Sequence, residues 1–142
     1  MRITQEADYA IRFVYILAKK PDAVQGAAQL SQAAATPERY TLKILHKLKH
    51  QGIVKSIKGA HGGYQLACNP AELSLKRVVE AIDGEIALSK CMGTEPCTRM
   101  GMDKDACCFH RIFCTISREV ADRLSGITIA DVISQEETAG EE

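Results

Sequence analysis

Apolar side chains recur at helical spacing from the start of the chain. Ala7, Ala10, Ile11, Val14, Leu17 and Ala18 line one face and predict a helix over residues 4–18. Thr4 is placed to cap its start, and Pro21 lies just past its end. A short helix is expected from Ala27 to Ala34, anchored by Leu30. A third begins near Pro37, with Thr36 as its expected N-cap, and stops near Gly52. In this third helix Leu42, Ile44, Leu45 and Leu48 take one side. Arg39, Lys43, His46, Lys47 and His50 fall within about 100° of one another on the other. The period then shortens. Ile53–Ile57 and Tyr64–Ala67 read as two strands joined by a turn with three glycines, Gly59, Gly62 and Gly63.

Asn69-Pro70 marks a boundary. Beyond it a helix is predicted from Leu75 to Ile82, capped by Ser74 and ended by Gly84. Residues 86–106 read as a loop rich in Cys, Gly and Met. A longer helix follows over about 107–125, where Phe109, Ile112, Phe113, Ile116, Val120 and Leu124 form a heptad-like seam suited to pairing between subunits or to packing within the chain. From Gln135 onward the chain is acidic and rich in small residues, and is expected to be mobile. The fold expected is mainly α with a small β-hairpin wing. A winged helix-turn-helix spans residues 1–70, a cysteine loop and dimerisation helix 71–134, and a flexible tail 135–142.

Charge changes this picture from a fold to a partner. The 142 residues carry no net charge, yet residues 1–68 hold ten basic and four acidic side chains, a net of +6, and residues 69–142 carry −6. From Arg39 to Lys58 six basic residues occur with no acid. A basic helix followed by a basic hairpin is the order in which winged-helix proteins meet duplex DNA, the helix entering the major groove and the wing reaching the flanking backbone. Arg39, Lys43 and Lys47 are the candidate contacts, with Tyr40 and Thr41 as further base readers and Lys58 and His61 on the wing. No stretch approaches a membrane span. No secretory signal pattern opens the chain, so the expected location is cytoplasmic.

Six cysteines add a second chemistry. Cys68 stands apart and reads as a small hydrophobe. Cys91, Cys97, Cys107, Cys108 and Cys114 fall within 24 residues. Clustered thiols in a cytoplasmic chain point to a soft metal centre or redox chemistry before structural disulfides. Three readings stay open on spacing: an iron–sulfur cluster, structural zinc without its usual tight C-x2-C pairs, or a thiol switch. A nucleophilic enzyme built on a cysteine and His110 has no accompanying oxyanion or phosphate motif, so no enzyme is expected.

Together these features resemble the IscR/NsrR-type family of winged-helix iron–sulfur regulators over roughly residues 1–133. The resemblance rests on Met1-Arg2-Ile3-Thr4 with Asp8-Tyr9-Ala10, and on Thr36-Pro37-Glu38-Arg39-Tyr40 leading to Lys43-Ile44-Leu45. It continues through Gly52 to Ser56, Gly62-Gly63-Tyr64-Gln65-Leu66, Cys91-x5-Cys97, Cys107-x2-His110 and Ile127 to Val132. It implies a homodimer paired through the 107–125 helix. It also implies an iron–sulfur cluster on Cys91, Cys97 and Cys107, with two irons favoured over four, and zinc as the alternative. The fourth ligand is His110 in the two-iron branch, or Asp8, matching the position from which the partner subunit supplies a carboxylate in the nitric-oxide-sensing branch. The gap before Cys107 is longer than the family pattern, Cys108 is a neighbouring alternative to Cys107, and Cys114 is extra. The function implied is a DNA-binding regulator, a repressor in the favoured reading, sensing iron, nitric oxide or redox state. A zinc-stabilised or thiol-switch regulator without a cluster is the alternative.

Overall fold

The computed structural model describes residues 2–93 and 103–140. Six helices and one hairpin follow in order among them: α1 (Gln5–Lys19), α2 (Ala27–Ala33), α3 (Glu38–His50), β1 (Val54–Ile57), β2 (Gly63–Leu66), α4 (Leu75–Asp83), α5 (Cys108–Ser125) and α6 (Ile129–Ala139). A single turn of 3-10 helix, Lys90–Met92, precedes α5. The fold is the mainly helical winged type that the sequence predicts.

The apolar positions of α1 are its buried ones. Phe13, Val14 and Leu17 are fully enclosed and meet Leu30 of α2 and Ile44, Leu45 and Leu48 of α3. Thr4 caps α1 by accepting from the Ala7 amide, as expected. The core continues across Asn69-Pro70: Leu73, Val78 of α4 and Ile129 of α6 belong to the same cluster.

Two helices of the N-terminal half end in the same way. After α3, Gly52 takes φ +70° while its amide reaches the Lys49 carbonyl and the Ile53 amide reaches that of Leu48. After α2 the paired bonds recur, Ala35 to Gln32 and Thr36 to Ser31, but the left-handed residue is Ala35 at φ +51°. This double bond across a left-handed residue is the Schellman stop, and glycine is its usual occupant. Here it turns the chain sharply between α2 and α3.

Thr36 is not the cap of α3. It is buried, its hydroxyl directed at the Ala34 carbonyl, and Pro37 holds the cap position without a side-chain hydrogen bond. The tight turn takes Thr36 inward, which its Ser31 partner secures by donating to the Thr36 carbonyl at 2.6 Å.

β1 and β2 pair antiparallel from Val54 opposite Leu66 to Ile57 opposite Gly63. The hairpin is anchored to the α1–α2 connection, where Tyr64 and Gln25 exchange backbone bonds of 2.8 and 3.0 Å. Gly63 permits that approach, since a Cβ there would sit 2.5 Å from the Gln25 carbonyl oxygen.

The last helix departs from the expected mobile tail. Residues 135–139 continue α6, which a reciprocal cap starts: Thr128 accepts from the Asp131 amide and the Asp131 carboxylate accepts from the Thr128 amide. The Asp131 carboxyl is held below its ordinary range by those bonds from Thr128. Lys19 of α1 also reaches Glu136 at 3.4 Å.

Candidate nucleic-acid interface and cysteine site

α3 is amphipathic in charge as well as in hydropathy. Ile44, Leu45 and Leu48 are buried, while Arg39, Lys43, His46 and His50 are exposed and Lys47 is half-buried. The Arg39 guanidinium lies over the Tyr40 ring, 4.7 Å from its centre. Tyr40 in turn packs near Tyr9 of α1, with ring centres 6.0 Å apart. Stacking holds a flexible arginine ready at the helix start. Lys58 and His61 both stand exposed in the turn of the wing.

Two expectations for α3 are corrected. Thr41 is 1% exposed and its hydroxyl is turned back to the Pro37 carbonyl, so it belongs to the inner face and is not presented to a ligand. Leu42, expected in the core, is 60% exposed. The two neighbours sit about 100° apart, and the packed face is centred nearer Thr41. An exposed leucine amid basic side chains is a further candidate contact, since thymine methyl groups are read by apolar side chains. The sequence offered no signal for it, because its spacing fits the buried set.

The charged face also contains an acid that local sequence reading could not place. Glu6, on the first turn of α1, accepts from Lys43 at 2.6 Å and from Lys47 at 2.8 Å. Those two ammonium groups hold its carboxyl below the ordinary range, against a smaller opposing effect of burial. The start of α1 is fixed by Thr4, whose amide donates to the Asp83 carboxylate at 3.2 Å and whose hydroxyl also donates to it.

Two of the thiols flank one imidazole. The 3-10 turn brings the Cys91 sulfur to 3.4 Å from Nδ1 of His110, and Cys114 lies 3.5 Å from Nε2 of the same ring. The turn is docked on α5 through Ser117, which accepts from the Leu88 amide and donates to the Met92 sulfur. Cys107 is buried at the N-cap of α5, whereas the next residue, Cys108, is exposed. Cys97 lies outside the described residues. Among the described residues no three His, Cys, Asp or Glu side chains close into a metal site. Asp8 is occupied within α1 by an ion pair with Arg12 at 2.7 Å.

The donor set nonetheless suits a soft metal centre. A metal with sulfur at about 2.3 Å and nitrogen at about 2.0 Å, in a tetrahedron, holds those two ligands about 3.5 Å apart. The Cys91–His110 separation of 3.4 Å matches one such edge. Cys68 is different in kind. It lies half-buried against the Ile53 carbonyl, and burial raises its thiol above the ordinary range.

Comparison with known proteins places this architecture. The family model described as Rrf2, iron-dependent transcriptional regulator, matches residues 3–135. An rrf2-like HTH-type transcriptional regulator of Rhodobacter capsulatus is 30% identical over 93% of this chain and 92% of its own. The HTH-type transcriptional regulator IscR of Pectobacterium atrosepticum is 26% identical over 96% of this chain and 82% of its own. In three dimensions the chain is similar to T. potens IscR, with TM-score 0.79 at 19% identity, covering 98% and 90% of the two chains. It is also similar to CymR, the global cysteine regulator of B. subtilis, with TM-score 0.75 at 23% identity, covering 95% and 98%. The family match runs from the first helix into the last: the chain belongs to the Rrf2 family and is a transcriptional regulator.

Proposed function

We propose that the protein is a cytoplasmic, homodimeric, DNA-binding repressor whose grip on its operator is set by an iron–sulfur cluster. Cys91, Cys97, Cys107 and His110 are its ligands. The observation that carries the sensor is the approach of Cys91 to Nδ1 of His110 at 3.4 Å, made by a turn packed on α5. Cys107 at the buried start of the same helix supports its choice over exposed Cys108. Asp8, paired with Arg12, is the weaker choice for the fourth position. A bound cluster supplies redox and ligand-exchange chemistry. The chain's own part is to tie the Lys90–Met92 turn to α5 through these side chains, and to release it when they let go.

DNA contact falls to Arg39, Tyr40, Lys43 and Lys47 of α3 and to Lys58 and His61 of the wing. α5 supports pairing because Ile112, Phe113 and Ile116 recur along one exposed face. Two copies joined there would set two reading helices about 34 Å apart, one turn of duplex. A ligand that favours one spacing over another is all that switching requires.

The test is the visible spectrum and iron content of protein purified without air. Wild type is expected to be coloured and to hold iron. Cys91→Ala, Cys107→Ala and His110→Ala are expected to lose or shift the absorbance, and Cys108→Ala to keep it. A colourless, zinc-loaded wild type would replace the cluster by the zinc reading. Retained absorbance in Cys91→Ala would remove that ligand.

A further inference from the structure

Glu6 is the acid least expected on a surface meant for a polyanion. Its carboxylate lies between two lysines of α3, one turn apart, with one oxygen on each. Its side chain is only 26% exposed, so water screens the pairs less than it would at an open surface. The contact is built rather than incidental. Thr4 caps α1 two residues earlier and is itself bound to Asp83 of α4, which fixes the helix start. Among the described residues no other acid pairs with Lys43 or Lys47.

We infer that Glu6 is a specificity-determining residue of the DNA-reading face. It holds Lys43 and Lys47 as a clamp and withholds their charge from phosphates at random sequence. The inference rests on α3 being the DNA helix. Its physics is that of counterion release. Each phosphate neutralised by a lysine contributes to affinity without regard to sequence, and steepens the fall of affinity with salt. A carboxylate already seated between the two lysines competes for the same charge. The contribution common to every duplex is reduced, and contacts to base edges decide a larger share of binding. The lysine stems stay positioned on the helix face, so a well-placed operator phosphate can still displace Glu6. A misplaced one gains less.

Binding of the full-length protein to a random-sequence duplex, followed across 50–200 mM salt, tests this. If Glu6→Gln frees even one lysine per copy, a dimer gains two phosphate contacts. The slope of log affinity against log salt should then steepen by about 2, with affinity at 100 mM salt rising on the order of tenfold. Glu38→Gln is the control. It removes the same charge from the first turn of α3, where no ion pair holds it among the described residues, and should produce a clearly smaller change. The gain in Glu6→Gln should vanish when Lys43 and Lys47 are both alanine. The clamp is overturned if Glu6→Gln behaves as wild type or as Glu38→Gln, or if its gain survives without the lysines. In those cases weaker binding by the Lys43→Ala/Lys47→Ala protein would still uphold α3 as the DNA helix. Unchanged binding by that double variant would overturn both readings.

Discussion

Substituting Ile112 with glutamate should take the protein apart into single copies. Ile112 is 53% exposed, and Phe113 and Ile116 beside it are 37% and 39% exposed, on a helix that packs inward through buried Ser117. Full burial of an isoleucine is worth roughly 1.5–3 kcal/mol. With about half of that already gained inside the chain, about 0.8–1.5 kcal/mol remains for a partner to supply. In a two-fold interface each substitution counts twice, so removing Ile112 costs the dimer about 1.5–3 kcal/mol, a factor of roughly 10 to 150 in Kd. Glutamate adds the desolvation of two carboxylates, which brings the expected loss to on the order of a thousandfold. Sedimentation velocity across the micromolar range reads it directly. Wild type should sediment as a dimer and Ile112→Glu as a monomer. Arg118→Glu, an exposed change on the far side of α5, should remain dimeric. A dimer that survives Ile112→Glu unchanged would move the interface off this stripe.

Two more predictions concern the DNA-binding unit. Ala35→Gly should stabilise the protein by about 0.5–1 kcal/mol in chemical denaturation, because Ala35 sits at φ +51° in a stop that glycine occupies without steric cost; a loss of stability would mean that the alanine methyl matters more than the backbone. Glu6 should give a signature in pH. Its carboxyl lies below the ordinary value of 4.5 when folded, held there by Lys43 and then Lys47, so its pairs stabilise the fold fully above about pH 4.5 and fade as pH falls through the folded value. The melting-temperature difference between wild type and Glu6→Gln should therefore be constant from pH 7 to 5 and shrink below 4.5, and a difference that grows on acidification would reverse the sign.

What the sequence disclosed and what it hid follow from the range of the forces involved. α1, α3 and α4 were legible because their apolar spacing is local and because Thr4, Gly52, Ser74 and Gly84 mark their ends. The wing was legible from the change of period and its glycines. The stop at Ala35 was hidden, since alanine carries no sign of a left-handed conformation that only tertiary packing imposes. That stop also displaced Thr36 from the cap it would otherwise fill. α6 was hidden by its composition. Its few anchors, Ile129 above all, meet α1 and Leu73 from far away in sequence, and the charged remainder looks like a tail. In the site, the basic face of α3 could be read from periodicity, but the outward turn of Leu42 and the inward turn of Thr41 depend on where α1 and α2 press. The Glu6 clamp joins residues 37 and 41 positions apart, beyond any local pattern. The cysteine spacing pointed to soft-ligand chemistry, while the choice between Cys107 and Cys108 depends on the phase of α5 as it starts. Cys114 proved to share the imidazole of His110, which spacing alone left open.

The central question is whether a metal centre governs DNA binding. The most direct test measures affinity for an operator fragment, selected from random duplexes by the protein itself, before and after iron is removed by a chelator without air. If Cys91, Cys97, Cys107 and His110 hold the cluster that spaces the two α3 helices, the iron-loaded and stripped proteins should differ at least tenfold in operator affinity. Their affinities for unrelated duplex should stay close. Equal operator affinity in both forms, with the dimer intact, would contradict it.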